Sequence, residues 1–173
     1  CLLGLVIGDS LGSLVAHRDA AEVAERFPHG VRELADGGTW GTQAGQPSGG
    51  GELALALARS LLAEHGYEAH VARLAYQHWL ASHPFDLAPA MQRALTGTVD
   101  ATVEDAGALV RIASLGIWSA GHPGRAADAA RQDARLTHPG DLCVASCGVL
   151  AATLAEVVGG AALPAIAAVA LDA

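Results

Sequence analysis

Four short stretches of this chain carry side chains able to hold a cation, a sugar or a phosphate. They are Gly8-Asp9-Ser10-Leu11-Gly12, Ser48-Gly49-Gly50-Gly51-Glu52, Asp105-Ala106-Gly107-Ala108 and Thr137-His138-Pro139. Asp9 and Glu52 offer carboxylate oxygens, Ser48 a neutral hydroxyl, and His138 an imidazole that can donate to phosphate oxygens. Main-chain amides exposed at a helix start, as expected near Gly107, also suit phosphate. Anionic oxygen is scarce, however. A hard divalent cation takes several such ligands in near-octahedral order and gives up its water reluctantly. Glycine carbonyls at positions 49–51 do not replace carboxylates, and Glu52 alone makes a weak, mostly hydrated site. Each residue also has a plainer role: Asp9 capping a neighbouring helix, His138 a cap or a buried side chain, and Gly49 to Gly51 a flexible loop ahead of a helix.

These stretches must be positioned by helices. Apolar spacing predicts a helix over Leu2–Val15, where Gly4, Gly8 and Gly12 recur every four residues and would let another helix approach closely. Ala20–Phe27 follows and stops before Pro28. His29–Gly51 reads as a long glycine-rich loop carrying Trp40, of the length that is often functional in compact domains. Further helices are expected over Glu52–His65, capped by Gly66, and over Ala69–Ser82, with Val71, Leu74, Ala75, His78 and Trp79 on one face. Leu87–Leu95, Gly107–Ala120, a segment opened by Pro123 and running to Leu136, and Asp141–Val158 complete the series. No strand pattern or solenoid repeat is visible.

Composition fits one all-α domain spanning 1–173. The chain is 51% hydrophobic but only 4% aromatic, so close packing of helices on small residues must build the core. A formal charge of −8, with ten arginines as the only Lys or Arg cations, argues against a nucleic-acid surface, which needs a clustered basic face. Three cysteines make no disulfide framework and suit a reducing, cytoplasmic compartment. Cys143 and Cys147 share a helix spacing, but a zinc site would need further ligands, so they are expected as small buried hydrophobes. The apolar start lacks a basic n-region and is interrupted by Asp9, which argues against a secretory signal. The apolar tail from Val144 to Leu171 is broken by Glu156, Gly159, Gly160 and Pro164, and is expected as two buried pieces, not a membrane span.

In order and spacing the four stretches resemble one known family. Gly8-Asp9-Ser10-Leu11-Gly12 matches a Gly-Asp-x-x-Gly opening. Thr39-Trp40-Gly41 and Glu52-Leu53-Ala54-Leu55-Ala56 set a register in which Ser48 to Glu52 stand where the family reads Thr-Asp-Asp-Thr-Glu. Asp105 to Gly116 resembles Gly-Asn-Gly-Ala-x-Met-Arg-x-x-Pro-x-Gly, with matches at Gly107, Ala108, Arg111 and Gly116, while Leu136-Thr137-His138 resembles a recurring Leu-Thr-His element. The family is the ADP-ribosylglycohydrolases, and the resemblance covers nearly the whole chain. It implies an orthogonal multi-helix bundle that cleaves the glycosidic bond joining ADP-ribose to a protein side chain or small acceptor, using magnesium or manganese.

Three expected acids are replaced here, by Ala16, Gly49 and Gly50, and the family's C-terminal Asp-x-Asp-Thr element has no counterpart. The resemblance therefore implies a domain short of the family's C-terminal part and catalytically impaired. It retains binding of an ADP-ribose-like molecule or an ADP-ribosylated protein through Asp9, Ser48, Gly49, Gly50, Glu52, Gly107, Ala108 and His138, with no catalytic residue, metal ligand or cofactor assigned. No nucleic-acid or membrane partner is expected. Two alternatives stay open: an active hydrolase dependent on Mg or Mn, and a structural helical protein whose apolar faces serve oligomerisation.

Overall fold

The computed structural model describes residues 1–100, 102, 105–162 and 166. Among them are eight α-helices and no strand, only an isolated bridge between Gly37 and Thr42. The helices are α1 (Leu2–Ser13), α2 (Ala20–Arg26), α3 (Gly49–Glu64), α4 (Ala69–Ala81), α5 (Pro89–Thr96), α6 (Ala113–Trp118), α7 (Pro123–Arg135) and α8 (Asp141–Val158), with a 3-10 turn at Leu109–Arg111 ahead of α6. The all-α expectation holds.

The core is built where α7 and α8 lie along each other, α6 crosses α8, and α3 packs on α4 and α6. Leu53, Leu57 and Leu61 of α3 meet Ile112, Leu115, Ala130, Cys147 and Ala151 in one buried cluster. Small residues let these helices come close. A methyl added at Gly116 would stand 2.6 Å from Leu154 Cβ and 2.9 Å from the Ala151 carbonyl oxygen, so α6 can lie this near α8 only with glycine there. Cys143 and Cys147 are buried in this seam, as expected. Burial first, then the neighbouring Cys143, pushes the Cys147 thiol up to about 12, the behaviour of an inert core cysteine.

Several boundaries and faces differ from expectation. Gly49 to Gly51 are not a flexible loop but the first turn of α3, with Ser48 at its N-cap. Among the described residues Gly4, Gly8 and Gly12 meet no helix, since a methyl at any of them would find none of those residues' atoms within 4 Å. Instead α1 is held from its other side by Ser10, Ser13 and Leu14, and leaves Leu3 and Ile7 exposed. On α4 the buried face is Ala72, Tyr76 and Trp79, with Leu74 turned outward. That phase is set by the Tyr76 hydroxyl, which donates to Asp133 Oδ1 at 2.7 Å in the core. The expected helix over Gly107–Ala120 is divided into the 3-10 turn and α6, a tightening common at helix starts. α8 runs unbroken through Glu156 and is long and apolar enough to cross a bilayer, but its Val144, Cys147, Ala151 and Ala155 side is buried against the bundle. The remaining apolar piece, expected to reach Leu171, lies almost wholly outside the described residues.

The end of α3 offers a stability test. His65, not Gly66, takes the left-handed C-terminal position with φ 52°, where a side chain is strained and glycine is favoured. His65→Gly is expected to raise stability by about 0.5–1 kcal/mol, read as a higher urea midpoint with unchanged slope; a lower midpoint would contradict it.

Candidate functional site

The N-terminus of α3, α1, the loop before α5 and the 3-10 turn surround a cleft of about 210 Å³. Its polar wall is Asp9, Ser48, Asp86 and the backbone of Gly49, Gly50 and Gly107; Leu53, Trp79, Met91 and Val110 supply the apolar wall. Asp9 is placed by one turn of α1 against the start of α3. Its Oδ2 accepts the Ser48 N–H at 2.5 Å and its Oδ1 accepts the Ser48 hydroxyl at 2.7 Å. A carboxylate here satisfies an otherwise open helix amide and faces the positive end of the helix dipole. Asp9 thus caps α3 from outside, which leaves both its oxygens engaged.

Little room is left beside the three glycines, least at Gly49 and Gly51. A methyl at Gly49 would overlap the Asp86 carbonyl oxygen and stand 3.2 Å from the Trp79 ring. At Gly50 it would lie 3.1 Å from Asp9 Oδ1 and from Val110 Cβ; at Gly51, 2.7 Å from Asp9 Oδ2 and 2.8 Å from Pro47 Cβ. Backbone and carboxylate therefore fill the space that side chains would need. This bears on the fit of a divalent pair: the cleft is lined by two carboxylate residues, Asp9, already engaged by Ser48, and Asp86, and its Gly49 position cannot take another without moving Asp86. Among the described residues no three His, Cys, Asp or Glu side chains gather as a ligand set. By themselves, the described residues that line the cleft do not fit a magnesium or manganese centre.

The description "ADP-ribosylglycohydrolase" belongs to a family model that matches residues 1–173, the whole chain. The chain belongs to the ADP-ribosylglycohydrolase family. It is 29% identical over 168 residues to the ADP-ribosyl-[dinitrogen reductase] glycohydrolase of Rhodospirillum rubrum, a match covering 91% of this chain and 56% of that protein. A solved ADP-ribosylglycohydrolase-related protein complex superposes with a TM-score of 0.78 at 30% identity, over 97% of this chain and 58% of that one. The chain thus spans a little over half the length of these relatives.

Within this member of the ADP-ribosylglycohydrolase family the sequence-predicted residues fall in three places. Asp9, Ser48, Gly49, Gly50 and Gly107 come together in the cleft. Glu52 faces a different groove between α3 and α4, where its Oε2 accepts the Trp79 indole N–H at 2.7 Å. Ala108 and His138 are fully buried behind the cleft wall. Sequence reading missed Asp86, Met91 and Val110 as cleft residues; a carboxylate between Pro84 and Pro89 was the available signal for the first, and nothing in the sequence marked the others.

His138 sits against Asp105 and Arg111. Its Nε2 is 3.0 Å from Asp105 Oδ1, and its Nδ1 is 2.8 Å from Thr137 Oγ1. Burial, followed by the Arg111 charge, lowers the imidazole below its usual 6.5 against the opposing pull of Asp105. The folded state therefore favours the neutral form. Its stability contribution is complete above about pH 6.5 and is lost as pH falls from there through the lowered value. We predict that the stability gap between the parent chain and His138→Gln, measured by urea unfolding, narrows from pH 7.5 to 5.5. A gap that widens on acidification would contradict this sign.

Proposed function

We propose that this ADP-ribosylglycohydrolase-family domain binds an ADP-ribose-like ligand, free or on a protein, without metal and without hydrolysing it. One observation carries the reading: the metal-turn acids are replaced by glycines whose side-chain space is taken by the Asp86 backbone and the Asp9 carboxylate. Hydrolysis in this family needs bound metal to grip sugar hydroxyls and orient water, and losing even one preorganised electrostatic contact costs about a hundredfold in rate. Binding asks for less. Polar groups of Asp9, Ser48 and Asp86 line one side of the cleft and apolar side chains the other, the mixture that orients a sugar in a mostly apolar site. At about 210 Å³ the cleft is smaller than the roughly 300–1,000 Å³ of pockets that enclose drug-sized ligands, which suits one sugar of such a molecule.

Thermal unfolding with ADP-ribose tests the reading. Equal stabilisation in EDTA and in magnesium is the expected result, since a ligand that binds only the folded state raises its melting point by mass action. Stabilisation only with magnesium or manganese would favour an active hydrolase, and none in either would favour a structural helical protein.

A further inference from the structure

Beneath the cleft the buried polar side chains form one continuous line. Arg111 Nε donates to Asp133 Oδ2 at 2.6 Å, and its Nη2 donates to Thr137 Oγ1 at 2.9 Å. A guanidinium can only donate, so Thr137 Oγ1 is the acceptor in that contact. Thr137 keeps one hydroxyl hydrogen to give, and His138 Nδ1, 2.8 Å away, stands where it can accept it. A ring nitrogen that accepts carries no proton, which puts the proton of the neutral imidazole on Nε2. That nitrogen is buried, with Asp105 Oδ1 at 3.0 Å at an angle short of an aligned hydrogen bond. The Asp105 carboxylate is half exposed. The same Oδ1 accepts the Gly107 N–H at 2.8 Å. A methyl at Gly107 would stand 2.5 Å from His138 Nε2, so the imidazole is pressed against the back of a residue whose front lines the cleft.

We infer that His138 is a positioning residue for the cleft: as the Nε2–H tautomer imposed by Arg111 and Thr137, it holds Asp105 and hence the Gly107 wall in place. The ligand touches Gly107 and never the imidazole. Burial of the imidazole and the Arg111 charge, which favour its neutral form, agree with this geometry. The inference deepens the ligand-binding reading, and rests on it only in its affinity arm.

Two measurements on the full chain test it. Nitrogen-15 correlation spectra of the His138 ring should show a protonated Nε2 and a bare Nδ1, and Thr137→Val should bring up the Nδ1–H form. A wild-type ring protonated at Nδ1 would overturn the inference. In calorimetric titration with ADP-ribose, His138→Leu and Asp105→Ala should each bind about tenfold more weakly, the size of one lost charge-assisted hydrogen bond. His138→Gln, which keeps an N–H at similar reach, should recover most of the affinity that His138→Leu loses, while Asp105→Ala should melt close to the parent chain. Parent-like affinity in both His138→Leu and Asp105→Ala would overturn it. Absence of any ADP-ribose binding by the parent chain would sink the proposed function instead, and leave the tautomer measurement to decide on His138.

Discussion

An Arg111→Leu chain is expected to unfold about 3–5 kcal/mol more easily than its parent, the usual cost of stripping one partner from a buried ion pair. Arg111 and Asp133 are both fully buried, and the guanidinium grips Asp133 through its side chain at 2.6 Å and its main-chain carbonyl at 2.9 Å. It also lies 4.6 Å from the centre of the Tyr76 ring. Burial works against the charge, but the Asp133 carboxylate and Tyr76 more than offset it and keep the arginine protonated. Removing it leaves a carboxylate in the core with only the Tyr76 and Tyr67 hydroxyls for company. Burial first, and Asp133 next, raise the Tyr76 hydroxyl well above its usual value, so it stays a donor but brings no compensating charge. Urea unfolding at neutral pH measures the loss; a loss below about 1 kcal/mol would mean the pair is more hydrated than its burial states. The double replacement Arg111→Leu with Asp133→Leu should recover a large part of the deficit, because the uncompensated charge is gone.

The second large effect is at Gly49. Gly49→Ala should destabilise by about 1–3 kcal/mol or more, the range for forcing extra atoms into a filled core. Its neighbour here is a backbone carbonyl, that of Asp86, which cannot swing aside as a side chain can. Gly50→Ala should cost less, because Asp9 Oδ1 and Val110 Cβ at 3.1 Å belong to side chains with some freedom to give. Melting temperatures of the two variants order these effects, and an equal or reversed order would refute the assignment. The consequence for function is direct: Gly49→Asp, which returns a carboxylate to the family's turn, is expected to lose the fold's close packing at that place before it gains a cation.

The helices were legible because their boundaries are written locally. Pro28, Pro84 and Pro123 stop or open helices within a residue or two of where the spacing predicts, and Asp141–Val158 coincides with α8. The cleft residues Asp9, Ser48, Gly49, Gly50 and Gly107 were legible from motif order. What sequence could not convey is direction. Gly4, Gly8 and Gly12 make a smooth stripe whether or not anything lies on it, and here none of the described residues does. Leu74 and Tyr76 are two residues apart on a helix that is apolar on more than one side; only the distant Asp133 decides which of them turns inward. His138 carries chemistry suited to phosphate, yet inside the molecule it faces its neighbour Thr137 and also Asp105 and Arg111, the last two over separations no local pattern reveals. The glycine triple reads as a loop by composition and folds as a helical turn, since its lack of side chains serves close approach and not flexibility.

Manganese titration followed by electron paramagnetic resonance bears most directly on the claim that this cleft has given up its metal. With the full chain and ADP-ribose present, the free-ion signal should rise in step with added manganese, with no tight uptake. Two equivalents of manganese retained per chain at micromolar concentration, and released on replacing Asp9, would contradict the account.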